Sequence, residues 1–108
     1  MQPEHYNAGQ KIFEEGKPGT RMYVVKEGEV ELSVRGKFVA SIGKGGILGE
    51  MALIDNKPRS ATAIAKTDCD LGPIDEERFL ELVHQKPSFA LEVMKVLVER
   101  LRLMDERA

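Results

Sequence analysis

The spacing of glycine constrains this chain most. Of its ten glycines, all but Gly72 fall between Gly9 and Gly49, and they cut the first half of the sequence into short apolar or alternating runs. Runs of that length suit strands closed by tight turns better than helices. His5–Gln10 reads as a strand end entering a turn, and Lys11–Phe13 as a short strand. Glu15–Thr20 is dense in turn formers. Arg21–Lys26 is β-rich and predicted to be buried, and Glu27-Gly28 reverses the chain. Glu29–Arg35 alternates, which points Val30, Leu32 and Val34 inward. Phe38–Ile42, Ser60–Ala65 and Cys69–Ile74 complete the strands. The expected class is mainly β with C-terminal helices: an antiparallel sandwich or barrel over residues 5–74.

The period changes after Ile74. Asp75 is a good N-cap, and Glu76 and Glu77 suit the positive end of a helix. Phe79, Leu80, Leu82 and Val83 give this helix, over residues 75–84, an apolar face, and Lys86-Pro87-Ser88 breaks it. A second helix is predicted over residues 88–106. It carries two stripes: Phe89, Val93, Val96 and Leu97, and beside them Leu91, Met94, Val98, Leu101 and Met104. So wide an apolar surface exceeds one flat contact. One face is expected to cover the barrel or a ligand, and the other to meet a partner, including a second copy of the chain.

A chain of 108 residues holds one domain, here residues 1–108, and both ends read as cut points of a larger protein. The net charge of −2 gives no footprint for nonspecific nucleic-acid binding. No apolar run is long enough to span a membrane. The one cysteine, Cys69, forms no internal disulfide and suits a reducing compartment, so a cytoplasmic setting is expected.

Chemistry concentrates in Gly45–Ala63, GGILGEMALIDNKPRSATA. Gly49-Glu50-Met51-Ala52-Leu53-Ile54 reads as a helical turn entered from glycine, whose free N–H groups favour an anion. Arg59 returns nine residues after Glu50, beside the small residues Ser60 and Ala61. Arginine recognises phosphate through paired hydrogen bonds. The alternative for Arg59 is a surface ion pair with Asp55 or Glu50. A carboxylate beside an anion site is repulsive unless it has another task, and accepting hydrogen bonds from ribose hydroxyls is one. Its alternative is to cap the helix start or pair with a basic neighbour. The stretch reads as a pocket for a small phosphorylated ligand.

Gly49-Glu50-x-Ala52-Leu53 followed by Pro58-Arg59-Ser60-Ala61-Thr62 resembles the phosphate-binding cassette of cyclic nucleotide-binding domains. Gly9-Gln10-x-Ile12-Phe13-x-Glu15-Gly16, Met22-Tyr23-Val24-Val25-x-Glu27-Gly28 and Asp75-Glu76-Glu77-x-Phe79 extend the resemblance over nearly the whole chain. It implies an eight-stranded β-roll flanked by helices that senses a cyclic nucleotide, with cAMP favoured and cGMP the alternative. It further implies that Glu50 takes the ribose 2′-hydroxyl and Arg59 the cyclic phosphate. Backbone amides of Gly49, Glu50, Met51 and Ala52, and Ser60, would join the phosphate cradle. Leu97, Arg100, Leu101 and Met104 would form a lid over the base. Gly46 and Leu48 stand where the family often has an acid and an aromatic residue.

Two rivals stand beside this reading. A metal-dependent barrel enzyme needs clustered ligands, whereas His5 and His84 lie near opposite ends of the chain and no nucleophile triad is evident. No catalytic residue, metal or cofactor is therefore expected. A β-roll serving only as an interaction or dimerisation module is the second rival.

Overall fold

The computed structural model describes the backbone of residues 2–107 and the side chains of residues 2–103. The strands are β1 (Glu4–Tyr6), β2 (Lys11–Phe13), β3 (Met22–Glu27), β4 (Val30–Val34), β5 (Lys37–Ile42), β6 (Ile47–Leu48), β7 (Thr62–Ala65) and β8 (Cys69–Ile74). The helices are α1 (Glu50–Asp55), between β6 and β7, then α2 (Glu76–Gln85) and α3 (Ser88–Arg107). The strands form two antiparallel four-stranded sheets, ordered β1-β8-β3-β6 and β2-β7-β4-β5. The expected β-roll is present as two facing sheets rather than a closed barrel.

The first sheet is apolar on both faces, and the alternation of strand side chains explains why. Tyr23, Val25, Leu48 and Leu71 face the interior of the roll with Val30, Leu32 and Ala63 of the second sheet. Met22, Ile47 and Ile74 point the other way and meet Leu53 of α1 and Val93 of α3. Met22–Val25 therefore reads as a continuous apolar run because each residue has a core to enter. Each such fully buried side chain stabilises the fold by roughly 1.5–3 kcal/mol.

Turn chemistry sets the register. Arg35 and Gly36 both have positive φ, 53° and 77°, in the two-residue turn that pairs Val34 with Lys37. Gly28 has φ 91°, and a Cβ there would lie 2.3 Å from Asp68 O. No larger residue fits that reversal.

Asp75 caps α2 as expected, its carboxylate accepting from Arg78 N–H at 2.8 Å. Phe79 packs on Phe89 of α3 with ring centroids 5.7 Å apart, which closes the α2–α3 corner. Leu80, expected on the apolar face of α2, is 59% exposed. Phe79 and Leu82 instead reach the helix cluster, and Leu80 is rotated out by its position on the turn. On α3 the two stripes separate. Phe89, Val93, Val96 and Leu97 pack inward, while Leu91, Met94, Val98 and Leu101 lie exposed. Among the described residues no helix is long and apolar enough to cross a membrane, and no group of three metal-ligating side chains forms.

Candidate functional site

A cavity of about 380 Å³ opens between the second sheet, α1 and α3. Leu32, Val34 and Val39 line it from the sheet, Ala61 from the segment entering β7, Gly49–Ala52 from the start of α1, and Arg100 and Leu103 from α3. Phe13, Arg59 and Ser60 complete one end, and Arg35 and Lys37 lie at the β4–β5 turn.

Gly49 opens α1 in the left-handed region, φ 78°. A Cβ there would meet Arg59 Nη1 at 2.7 Å and Arg21 O at 3.0 Å. Glycine is required twice over, by its backbone angle and by the closeness of the arginine. No side chain caps the first turn of α1, so its leading N–H groups are free to serve a ligand. α1 ends after six residues at Asn56, also left-handed, whose N–H donates to Ala52 O at 3.0 Å.

Arg59 is held by its backbone before β7 begins. Its N–H donates to Lys17 O at 2.9 Å, and its carbonyl accepts from Gly16 N–H at 2.8 Å. The turn formers of residues 14–20 thus form the bracket for this arginine. The residue is 6% exposed and makes no ion pair among the described residues, contrary to the surface-pair alternative. Nη1–H donates to Gly49 O at 3.3 Å, and Nε has no partner. The guanidinium carbon lies 4.3 Å from the centre of the Phe13 ring. Burial pulls the pKa of Arg59 below its ordinary value, and nearby Arg21 pulls the same way, against Tyr23 and Glu50.

Glu50 is 1% exposed. Its Oε1 accepts from Arg100 Nη1 at 2.5 Å, while Oε2 is buried and unbonded. Arg100 Nη2 donates to Ile47 O at 2.7 Å. One arginine of α3 thus grips both α1 and β6. A buried carboxylate is tolerable only when paired, and Arg100 supplies the pair.

The structure brings together Gly49, Glu50, Met51, Ala52, Arg59, Ser60 and Arg100 around the cavity. Ser60 is exposed at the rim, its hydroxyl 3.5 Å from Met51 Sδ. Leu97 and Leu101, expected as lid residues, do not line the cavity. Leu97 packs into the helix cluster, and Leu101 is turned about 100° from Arg100 and is exposed. Leu103, three residues after Arg100 on the same side of α3, stands in the lining instead. The side chain of Met104, the remaining lid candidate, lies outside the described residues. At Gly46 a Cβ would lie 2.5 Å from Ile42 Cγ2 and 3.1 Å from Gly43 O, so a side chain there requires Ile42 to shift.

Residues 3–86 match the family model of the cyclic nucleotide-binding domain. The chain belongs to the cyclic nucleotide-binding domain family. Solved structures agree. The Thermus thermophilus catabolite activator protein is 34% identical with a TM-score of 0.85, over 98% of this chain and 52% of that one. The cAMP-bound PfPKA-R is 28% identical with a TM-score of 0.86, over 97% of this chain and 36% of that one. The EAL enzyme Bd1971 in its cGMP-bound form is 33% identical with a TM-score of 0.74, over 99% of this chain and 30% of that one. The same protein has also been solved with cAMP bound. The chain spans about half the length of the first of these relatives and about a third of the other two. Domains of this family are regulatory binding modules, and most of the EAL enzyme lies beyond the matched part.

Proposed function

We propose that this chain is the ligand-binding module of a cyclic nucleotide sensor, with cAMP as its ligand and cGMP as the alternative base. The observation that carries this reading is a pair of buried groups of opposite charge on one cavity, each with an unbonded atom: Arg59 Nε and Glu50 Oε2. Arg59 and the first amides of α1 meet the cyclic phosphate, with Ser60 donating from the rim. Glu50 Oε2 accepts from the ribose 2′-hydroxyl while Oε1 stays with Arg100. The apolar wall of Val34, Val39 and Leu103 covers the base.

The charges support the same assignment. The buried groups Arg59 and Arg100 against Glu50 leave one positive charge, and the exposed Arg35 and Lys37 at the β4–β5 turn add to it, so the cavity favours an anion such as a cyclic phosphodiester. Arg100 also answers the repulsion between a carboxylate and a phosphate, because it neutralises Glu50 from the side away from Oε2.

The ligand reaches α3 through Glu50 and Arg100, and that is the route by which binding moves the helix. A ligand shifts such an equilibrium only by its difference in affinity for the two states. A ~100-fold preference corresponds to about 2.7 kcal/mol. The output passes to an attached or associated effector, and this domain acts as a binding module with neither chemistry nor nucleic-acid binding of its own. A cytoplasmic setting fits the lone reduced cysteine. Leu91, Met94, Val98 and Leu101 are spaced 3-4-3 along the outer face of α3, the seam of a two-stranded coiled coil. A second copy covers that seam in this reading, and Val98→Glu converts dimer to monomer by sedimentation.

Calorimetric titration with cAMP and cGMP tests the proposal. Saturable one-site binding supports it, and the ratio of the two affinities assigns the base. No heat with either nucleotide, in a chain folded by circular dichroism and free of carried-over ligand, refutes it and leaves the interaction module in its place.

A further inference from the structure

Arg59 has too few hydrogen bonds to be held by them. A guanidinium has five N–H donors, and among the described residues this side chain makes one hydrogen bond, to Gly49 O, long at 3.3 Å. Yet the residue is nearly fully buried. What lies against it is a ring face: the Phe13 centroid is 4.3 Å from Arg59 Cζ. Gly19 backs onto the same group, so closely that an added Cβ would lie 2.3 Å from Nε and 2.7 Å from Cζ. Phe13 stacks in turn on Tyr23, 6.3 Å between centroids and 26° between planes. Arg21 lies over the Tyr23 ring at 5.4 Å and is fixed by Glu4 at 3.0 Å and by the Tyr23 hydroxyl at 2.9 Å. The result is a ladder of cation, ring, ring and cation that ties β2 to β3 and ends on Arg59.

We propose that Phe13 is a positioning residue for ligand binding: its ring face fixes the plane of the Arg59 guanidinium and thereby sets the affinity of the site. The reasoning turns on donors. A carboxylate partner would stabilise the buried cation but would occupy the N–H groups that an anion needs. The negative face of an aromatic ring attracts the cation without consuming any of them. It also removes rotamer freedom that the ligand would otherwise have to freeze out. Arg59 is thus buried, oriented and still able to donate. This inference rests on the cyclic nucleotide reading above.

The test replaces Phe13, in the full chain, with 4-fluoro-, 3,5-difluoro- and 3,4,5-trifluorophenylalanine. Ring size is nearly constant through the series, while the negative face weakens with each fluorine. Two quantities are read: the NMR shift of the Arg59 Nε proton without nucleotide, and the Kd for cAMP and cGMP by calorimetry. The Nε proton of the unsubstituted chain is expected upfield, shielded by the Phe13 ring. The Kd is expected to rise stepwise by ~10-fold across the series, within the span of cation–π contacts, with Phe13→Leu at its weak end. An unshifted Nε proton refutes the stacked geometry. A shifted proton with equal affinities across the series refutes positioning while leaving the site reading intact. An unsubstituted chain that binds neither nucleotide overturns the site reading and this inference with it.

Discussion

Replacing Arg100 with methionine removes the guanidinium and keeps most of the apolar stem. Glu50, 1% exposed, is then left with both carboxylate oxygens unbonded, and Ile47 O loses its donor at 2.7 Å. Breaking a fully buried pair from one side costs roughly 3–5 kcal/mol, because the remaining charge stays desolvated. The Arg100 side chain retains 14% of its exposure and that of Glu50 2%, so water reaches the arginine end. A loss of about 2–3 kcal/mol is therefore expected. With a urea m-value of about 1.5 kcal/mol/M for a domain of this size, the unfolding midpoint falls by roughly 1.3–2 M. The double variant Glu50→Gln/Arg100→Met no longer buries an unpaired charge and should recover about 1 kcal/mol or more, a coupling typical of contacting groups. Urea unfolding followed by circular dichroism reads the parent, the single variants Arg100→Met and Glu50→Gln, and the double variant. If Arg100→Met unfolds within about 0.5 kcal/mol of the parent, the pair behaves as a surface ion pair and the link between α1 and α3 is refuted.

Three further outcomes follow from the geometry. Gly19→Ala places a Cβ within 2.3 Å of Arg59 Nε, at a residue whose backbone accepts alanine. Calorimetry should show nucleotide affinity falling ~10-fold or more, the loss of a charge-assisted hydrogen bond worth about 1.5 kcal/mol, and equal affinity would contradict the bracket around Arg59. Asp75→Ala removes the N-cap of α2 and should cost about 1 kcal/mol, lowering Tm by roughly 4–8 °C in a scan of the purified chain. The His5 pKa is raised by hydrogen bonds to Asp70 and Asn7. Its contribution to stability is therefore fully present below the unfolded value of 6.5 and is lost as pH rises through the folded value. Tm should fall slightly between pH 6 and pH 8, and Asp70→Asn should flatten that slope.

Much of the fold was legible because its signals are local. Alternation over Val30–Val34, the cap at Asp75 and the break at Lys86-Pro87 each declare themselves within a few residues. β6 was not legible, since two residues, Ile47 and Leu48, are too few to show a period. In the site, the glycine start of α1 and Arg59 stood out by spacing. The partner of Glu50 did not, because Arg100 lies 50 residues away and only the docking of α3 brings it near. Arg100, expected over the base, lines the cavity and holds the carboxylate. The face of α3 was hard to read for a similar reason: periodicity shows which residues share a face of the helix, but not which face meets the cavity. Phe13 looked like an ordinary strand residue, and its contact with Arg59 depends on β2 pairing with β7.

The central claim is that Arg59 and Glu50 hold the phosphate and ribose of one cyclic nucleotide. Titration of the parent chain, Arg59→Ala and Glu50→Ala with cAMP and with 2′-deoxy-cAMP tests it most directly. The account predicts that Arg59→Ala abolishes binding of both ligands. It predicts that Glu50→Ala weakens cAMP far more than 2′-deoxy-cAMP. Parent-like cAMP affinity in Arg59→Ala, or equal losses for both ligands in Glu50→Ala, would contradict it.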